Sequence, residues 1–575
     1  MTFLGRGRAP DAAIDTAIDA ATNTATDMTT AQDVVDIAAE AGALVAGLLA
    51  RPWGEPSPSV YETARLVALA PWLAGHPERL AFLVDTQRPD GGWGAHEEYA
   101  LVPTLSATDA VLAELRRGVL HVGPRSVAAS ADEGLRALFR WSRRNFGAPL
   151  PDLPAIELIV PSLVASINAR LRELGESPLD GLHHWRGTVP LPLPQGMDGT
   201  KLELVRSRLR SGDPLPVKLM HALEVGGEAA FQARGVRPTP EGLVGASPAA
   251  TAAWLGAAGT VEASHPARLR LEAVTAVDGG PVPCATPITV FERGWVLSWL
   301  IRAGVPVTVP RELVASLGER LGPGGVAAGP GLPADADTTS VALYTLTLLG
   351  EAREPDSLWA YDTGTHFCTW QGEQGFSTTV NAHVLDAFGQ YVVARPGARP
   401  RYGPAVERLA GLLRARQHAD GSWADRWHAS PYYATVCCAL ALHDFGGAES
   451  AESVRRAVRW VSSTQRADGS WGLWRGTAEE TAYALQLLLL TGASHQGVEA
   501  QVTRGRDHLL RAVRRGSAAG PADRPAGTPE PPDDPPMWHD KDLYLPVAIV
   551  RAAVLGALHL ARSAPCSPCS TSDKT

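Results

Sequence analysis

The chain has 575 residues, of which 45% are hydrophobic, and its formal net charge is −9. This length exceeds one ordinary domain and suits two or three, while the acidic balance argues against a nucleic-acid partner, which would require a basic surface. No run of about 18 uncharged apolar residues occurs, so no membrane span is predicted. The chain start has no charged segment leading into an apolar one, and we expect a cytoplasmic protein with reduced cysteines.

Helical periodicity dominates the chain, and we predict an all-α fold. Residues 1–30 are rich in Ala, Thr and Asp and are predicted to be disordered, whereas 32–50 are predicted to form a helix. Further helices are predicted from Val60 and from Ser247, and strand patterns are nearly absent. A proline-rich surface loop is expected at 516–536.

The pattern Gln-x-x-Asp-Gly-[Gly/Ser]-Trp occurs at residues 87–93, 417–423 and 465–471, each time between helical stretches. Asp-Gly favours a turn, and the Gln side chain can bond nearby backbone groups. The Trp is expected to pack over the junction, with its indole N–H satisfied at the rim. Helix pairs punctuated by a repeated turn predict an α-solenoid or an α/α barrel.

Two carboxylates, Asp335 and Asp337, follow Pro333 where a Gly/Pro-rich loop gives way to an apolar helical run. Asp335 suits an N-cap, and Asp337 would lie in the first turn, where the helix dipole makes a carboxyl group more acidic. Each carboxylate also opposes ionisation of the other, so the pair would share protons. Such an acid could protonate an alkene, although a helix cap alone would also explain the pair.

Together these features resemble the class II terpene cyclases, which include squalene–hopene cyclases and copalyl diphosphate synthases. The repeats resemble the QW repeats of that superfamily, and Asp335-Ala-Asp-Thr-Thr resembles its acid motif in the bacterial form. Four further segments agree, and the resemblance extends over roughly residues 35–560. These segments are 376–385, 425–435, 479–486 and 541–544.

The resemblance implies two α/α-barrel domains, β and γ, with γ inserted after the first helix of β and the active site between them. We therefore predict five regions along the chain. They are a disordered N-terminus (1–30), the first β helix (31–54), the γ domain (55–265), the rest of the β domain (266–560) and a disordered tail (561–575).

The resemblance also implies the acid machinery. Asp337 would be the general acid and Asp335 its support, with Thr338 in place of a third carboxylate. Asn381 matches the position that hydrogen-bonds the acid. His221 lies in a segment similar to that of the catalytic histidine of plant ent-copalyl synthases. It is the candidate base, although the asparagine partner of that histidine is missing and a structural role is the alternative.

Substrate contacts follow from the same resemblance. Aromatic faces should stabilise carbocations, and cationic side chains with Mg²⁺ should hold a diphosphate. The metal ligands stay open, because no acidic cluster precedes Glu157. The aromatic candidates are Trp370, Phe376, Trp427, Tyr432, Tyr433 and Tyr544, and the cationic candidates are Lys201, Arg293, Arg426 and Lys541.

The implied activity is that of an isomerase: protonation-initiated cyclisation of a linear prenyl diphosphate to a bicyclic labdane-type diphosphate. Class I terpene synthases, which remove the diphosphate, carry an Asp-Asp-x-x-Asp motif on an apolar helix. The sequence shows no such motif, and its Asp-Asp pair at 533–534 lies between prolines, so the diphosphate should be retained. A separate class I synthase or a phosphatase would then consume the product. Geranylgeranyl diphosphate is the favoured substrate, and farnesyl diphosphate, giving drimenyl diphosphate, is the alternative. Remoter alternatives are a squalene–hopene-type cyclase and a non-enzymatic α-solenoid binding module.

Overall fold

The computed structural model describes residues 36–118, 127–147, 149–256, 262–492, 497–518 and 534–563. Within these residues the chain is almost entirely helical, which confirms the predicted fold class. The α-helices are Ile37–Ala50, Val60–Leu69, His76–Asp85, Leu101–Arg117, Val127–Ser142, Ile156–Glu176, Thr200–Ser211, Val217–Met220, Pro248–Leu255, Pro266–Val277, Thr289–Arg302, Arg311–Gly318, Ala336–Leu348, Thr378–Ala394, Arg399–Arg416, Pro431–Phe445, Ala451–Ser463, Ala478–Leu490, Glu499–Ala518 and Val547–Ser563.

Short elements join these helices. Two antiparallel ladders of two residues per strand pair Val326–Ala327 with Ala334–Asp335 and Trp538–His539 with Leu543–Tyr544. The 3₁₀ segments are Glu97–Tyr99, Asn145–Gly147, His183–Trp185, Leu223–Ala230, Pro355–Tyr361, Pro396–Ala398 and Ala448–Ser450. The predicted disordered segment 1–30 lies outside the described residues, as do most of the predicted loop 516–536 and of the tail 561–575.

The buried apolar side chains form two large cores. One core combines helix Ile37–Ala50 with side chains between residues 284 and 561. The other draws only on residues 61–253. The first helix therefore packs with the later part of the chain, as an inserted domain would require. A small third cluster places Leu271 beside Leu66, and the proposed domain boundaries stay a prediction.

The three Gln/Trp repeats are built alike. Each Gln donates from Nε2 to the carbonyl of the turn glycine at 2.8–2.9 Å and to a carbonyl of the second α-helix after the turn. Each Trp is fully buried, not at the rim as predicted, and its indole N–H donates to the carbonyl at the end of the preceding helix. Those terminal carbonyls have no partner within their own helix, so the repeat satisfies a helix end and, through its Gln, holds the second helix after the turn.

Helix Ala336–Leu348, called the acid helix below, lies in the first core. It packs against helices Thr378–Ala394 and Thr289–Arg302. Thr339 Oγ1 accepts from Val326 N at 2.9 Å, which ties the helix start to the small β-ladder before it. This ladder and the two helices fix the orientation of the side chains in the first turn.

Among the described residues, none of the helices combines the length and apolarity that a membrane span needs. The four cysteines in the described part of the chain are free and buried. Cys566 and Cys569 lie outside it.

Candidate active site

The Asp-x-Asp motif lies at the start of the acid helix. Asp335 is the N-cap, with extended backbone, and its Oδ1 accepts from the backbone N–H of Thr338 at 2.6 Å. Asp337 lies in the first turn. Its side chain is 18% exposed, whereas Asp335 is 8% exposed as a residue. The more accessible carboxyl is thus the one assigned as general acid.

His383 is the partner of Asp337. Its Nδ1 lies 2.6 Å from Asp337 Oδ1, and the ring is almost fully buried. We predicted that Asn381 would fix the acid, and that prediction is wrong. The Asn381 amide accepts from the N–H of Phe367 and donates to the carbonyls of Phe367 and Ser377. It closes a loop against its own helix, so its hydrogen-bonding groups are already used.

Burial and charge act in opposite directions on this site. Burial disfavours a charged imidazole, but the carboxylate of Asp337 outweighs it and raises the pKa of His383 well above the ordinary value. Burial also raises the pKa of Asp335 to about 7, and the negative charge of Asp337 adds to this rise. The site therefore holds protons at neutral pH on groups that would be deprotonated in water.

Aromatic rings lie beside His383, the partner of Asp337. Trp295 meets His383 edge-on at 5.5 Å between ring centroids and donates from Nε1 to the Tyr433 hydroxyl at 2.8 Å. The Tyr433 ring lies 6.4 Å from His383. Phe291 packs against Trp295 at 4.4 Å. Trp295, Tyr433 and Phe291 are called the aromatic wall below. Ring faces attract cations without reacting with them, so this wall suits a carbocation.

Of the six predicted aromatic residues, Tyr433 and Tyr544 are the two whose phenols are influenced by the charge of Asp337. Burial raises the pKa of both phenols well above the ordinary value, and the charge of Asp337 contributes in each case. Both residues are buried, at 1% and 9% exposure. The structure therefore brings both into the electrostatic environment of the acid.

The other four predicted aromatic residues have different partners. Trp370 and Trp427 meet edge to face at 5.2 Å. The guanidinium of Arg416 lies 4.3 Å over the Phe376 ring. Tyr432 packs against a tryptophan of helix Ala451–Ser463 at 4.6 Å. None of these contacts reaches the Asp337–His383 pair.

His221 cannot act as a base in this structure. Its Nδ1 lies 2.7 Å from the carbonyl oxygen of Gly245, and its Nε2 lies 2.9 Å from Asp540 Oδ1. Both partners only accept hydrogen bonds, so both ring nitrogens must carry hydrogen. Burial opposes that charge, but Asp540 outweighs it and raises the pKa of His221. The imidazolium has no lone pair for a substrate proton, and the prediction of a base is corrected.

Lys541 does not bind diphosphate either. Its side chain is fully buried. The ammonium is ion-paired with Glu62 and with Glu224, at 3.0 Å from the latter, and donates to Ser247 Oγ at 2.9 Å. All three partners belong to the earlier part of the chain, so Lys541 joins the two cores.

Arg293 is also committed elsewhere. It is 8% exposed and donates from Nη2 to the carbonyl of Leu48 at 3.1 Å. That carbonyl is close to the end of helix Ile37–Ala50, where carbonyls lack intrahelical partners. Arg293 therefore anchors the first helix, and its prediction as a diphosphate ligand is corrected.

Lys201 and Arg426 remain accessible, and both reach the start of helix Ile156–Glu176. Lys201 Nζ lies 3.6 Å from Glu157 Oε1, and its side chain is 71% exposed. Arg426 Nη2 lies 2.9 Å from Asp152 Oδ2. Each cation is thus paired with a carboxylate at or just before one helix N-terminus, where the helix dipole also favours anions.

The sequence reasoning missed His383 as the partner of the acid. His383 lies two residues after Asn381, within the segment 376–385 that carries part of the family resemblance. The sequence did contain a signal. A catalytic carboxyl group needs a neighbouring side chain that can carry a proton, and His383 is the one histidine in that segment. Trp295 gave no signal beyond an apolar helix.

A family model described as Squalene-hopene cyclase C-terminal domain matches residues 375–520. The chain is 42% identical over 522 residues to the ent-copalyl diphosphate synthase of Streptomyces sp. (strain KO-3988), which covers 91% of this chain and 96% of that protein. It is 40% identical over 544 residues to the labda-7,13-dienyl diphosphate synthase of Streptomyces clavuligerus, covering 91% and 93%. The solved ent-copalyl diphosphate synthase from Streptomyces platensis has a TM-score of 0.84 at 45% identity, covering 92% of this chain and 100% of that one.

Proposed function

Because the chain belongs to the bacterial class II terpene cyclases, we propose that it cyclises geranylgeranyl diphosphate to a bicyclic labdane-type diphosphate and retains the diphosphate group. Copalyl and labdadienyl diphosphates, named for its relatives, are bicyclic products of this kind. The observation that carries the proposal is the Asp337–His383 pair, 2.6 Å apart beneath an aromatic wall. It combines a proton donor with a surface that tolerates cations.

Asp337 starts the reaction by protonating the terminal alkene of the bound chain. The adjacent imidazolium of His383 stabilises the carboxylate left behind, because a positive charge in hydrogen-bond contact favours the ionised acid. Asp335 supports the site in its protonated form, since a second carboxylate would weaken the acid. The internal alkenes then attack the cation in turn, as the chain is held pre-folded.

The aromatic wall directs the cascade by excluding water and facing the cation with rings. Trp295, Tyr433 and Phe291 form one connected unit, because Trp295 contacts each of the other two. A rigid wall keeps its ring faces in place while the charge moves along the substrate. Removal of one ring should therefore change the product distribution as well as the rate.

The diphosphate end fits the start of helix Ile156–Glu176. Lys201 and Arg426 supply positive charge there. Within the described residues, no group of three His, Cys, Asp or Glu side chains could hold a metal. Mg²⁺ needs only one or two carboxylates when substrate phosphates complete its shell. Asp152 and Glu157, 64% and 47% exposed, fit that role. Bound Mg²⁺ would neutralise the diphosphate charge.

The metal assignment has a direct test. Asp152→Asn and Glu157→Gln should each raise the Mg²⁺ concentration needed for half-maximal activity by about tenfold, because each removes one ligand charge. Glu203→Gln is the matched control. Glu203 is also exposed, but it lies on the next helix, Thr200–Ser211, and pairs there with Arg206. An unchanged Mg²⁺ requirement in both variants would refute the assignment.

The function itself is tested by incubating the protein with geranylgeranyl diphosphate and Mg²⁺, followed by phosphatase treatment and product analysis. The proposal predicts a bicyclic diterpene alcohol and no inorganic diphosphate before phosphatase is added. Farnesyl diphosphate in parallel measures the preference for chain length. Absence of any cyclic alcohol from either substrate would contradict the proposal. Because the diphosphate is retained, a class I synthase or a phosphatase would have to consume the product.

A further inference from the structure

A row of alternating charges extends from the acid towards the surface, and the reaction described so far does not use its outer members. Asp386 follows His383 by one helical turn and is 4% exposed. Its Oδ2 lies 3.1 Å from Arg302 Nη1, and Arg302 Nη2 lies 2.6 Å from Asp444 Oδ2. The Asp444 side chain is 35% exposed, so the row ends near solvent.

One oxygen of this row is unsatisfied. Asp386 Oδ1 is buried, and no hydrogen-bond donor of the described protein reaches it. A buried carboxylate oxygen without a partner is costly, and such atoms call for a functional or solvent explanation. The same helix face carries His383, because residues three apart lie on one side of a helix.

A small cavity joins the two side chains. It has a volume of about 30 Å³ and is lined by His383, Asp386, Arg302, Cys437 and Ser298, among others. This volume has room for about two water molecules, and the lining supplies the polar partners that buried water needs. His383 Nδ1 is taken by Asp337, so Nε2 is the nitrogen left for the cavity side, where Cys437 is also a hydrogen-bond partner of the ring.

We propose that Asp386 is a positioning residue for the catalytic acid: through water in this cavity its free oxygen accepts the hydrogen bond of His383 Nε2–H and keeps the imidazole protonated. The proposal rests on the proposed function, in which a charged His383 strengthens Asp337 as an acid. Asp386 does not touch the substrate. It acts by fixing the charge and orientation of the ring that contacts the acid.

The charges around His383 support this role. Asp337 of the acid helix faces Nδ1, while Cys437 and Tyr433 approach from helix Pro431–Phe445. A thiol sulfur is only a weak acceptor, so Cys437 alone compensates an imidazolium poorly. Arg302 repels a second positive charge, and Asp386 is the carboxylate that offsets it. Burial raises the pKa of Asp386 to about 6, against the pull of Arg302 and His383, so the carboxylate is ionised at neutral pH.

Asp386→Asn tests the proposal, because it keeps the shape and removes the charge. Arg302 would then keep only Asp444 as a counter-charge, at the end of the row away from His383, and the imidazole would lose its proton at lower pH. We expect kcat to fall about 10–100-fold at pH 7.5 with KM little changed. The fall in kcat at high pH should begin at least about one pH unit lower than in the wild type. Asp386→Glu should restore most of the wild-type pH profile.

Asp109→Asn is the matched control. Asp109 is also a buried aspartate between two arginines, 2.9 Å from Arg65 and 2.6 Å from Arg170, but it lies in the other core. It should lower stability and leave the pH profile unchanged. A wild-type profile in folded Asp386→Asn, or an equal shift in the Asp109 variant, would overturn the proposal.

Two further measurements keep the test decisive. Ser298→Leu fills the cavity while both charges stay in place, and should shift the pH profile in the same direction as Asp386→Asn. An unchanged profile in that variant would refute the route through the cavity. NMR titration of labelled histidine, with His383→Gln for assignment, should show a lower His383 pKa in Asp386→Asn. This readout does not require turnover, so it separates failure of the proposal from failure of the proposed function.

Discussion

His383 and His221 each lie against an aspartate, at 2.6 Å from Asp337 and 2.9 Å from Asp540. In both pairs the carboxylate outweighs burial and raises the pKa of the imidazole. The two pairs therefore share their basic chemistry. They differ in what surrounds the carboxylate and the second ring nitrogen.

Asp540 is tied to fixed groups of the protein. Its Oδ1 accepts from the backbone N–H of Lys541 at 2.7 Å as well as from His221, and Lys541 is ion-paired with Glu62 and Glu224 of the earlier part of the chain. Asp337 lies in the first turn of the acid helix, and its side chain is 18% exposed, against 12% for Asp540. The pair at Asp540 is thus a structural clamp within a charge cluster that joins the two cores, whereas the pair at Asp337 is the reactive pair, beside the aromatic rings of Trp295 and Tyr433.

The largest effect is expected at the reactive pair. Asp337→Asn removes the transferable proton while keeping the size of the side chain, and should lower kcat by at least about 10⁴-fold. The melting temperature should stay within a few degrees of the wild type. Product formation from geranylgeranyl diphosphate at more than one per cent of the wild-type rate would show that another group supplies the proton.

Loss of a charge next to the clamp at Asp540 should lower the free energy of unfolding. Lys541→Met leaves Glu62 and Glu224 buried without a counter-charge, and breaking such a cluster costs about 3–5 kcal/mol. Urea unfolding should show a lower midpoint. Arg551→Met, which breaks the exposed pair with Glu40, is the control and should change the midpoint little. Equal effects of the two variants would contradict the clamp.

The same substitution at each histidine compares the two pairs directly. His383→Gln should lower kcat about 10²–10³-fold, because the acid loses its charged partner. His221→Gln should reduce the free energy of unfolding and leave the kcat of the folded protein within about threefold. A collapse of kcat in His221→Gln, with the fold intact, would restore His221 to the reaction.

The smallest effect concerns Asp335. Its pKa is raised to about 7 in the folded protein, far above the value in the unfolded chain. Between those values the folded state holds a proton that the unfolded state has lost, so stability falls as pH rises towards 7. Asp335→Asn keeps a capping oxygen and removes this loss. It should stabilise the protein by roughly 1–4 kcal/mol at pH 8 and by much less at pH 4, measured by urea unfolding. No gain at pH 8 would contradict the raised pKa.

The fold and the acid were predictable because their signals are local. The Gln/Trp repeats are defined by contacts within the turn and with the end of the preceding helix, and the cap joins Asp335 to Thr338, three residues further along the chain. The partner of the acid was not predicted, since Asp337 and His383 are 46 residues apart. The role of His221 depends on a residue 319 positions away, which no local pattern reveals. The predictions of Lys541 and Arg293 as diphosphate ligands were wrong for the same reason. The sequence shows a charged side chain but not the buried group with which it pairs.

The central claim is that Asp337 delivers a solvent-derived proton to an alkene and that the diphosphate survives. Turnover of geranylgeranyl diphosphate by the wild-type protein in D₂O tests both parts at once, with mass spectrometry of the intact product. The account predicts a cyclic diphosphate that carries one deuterium per molecule and no inorganic diphosphate in solution. A cyclic product without deuterium, or release of inorganic diphosphate in step with turnover, would contradict it.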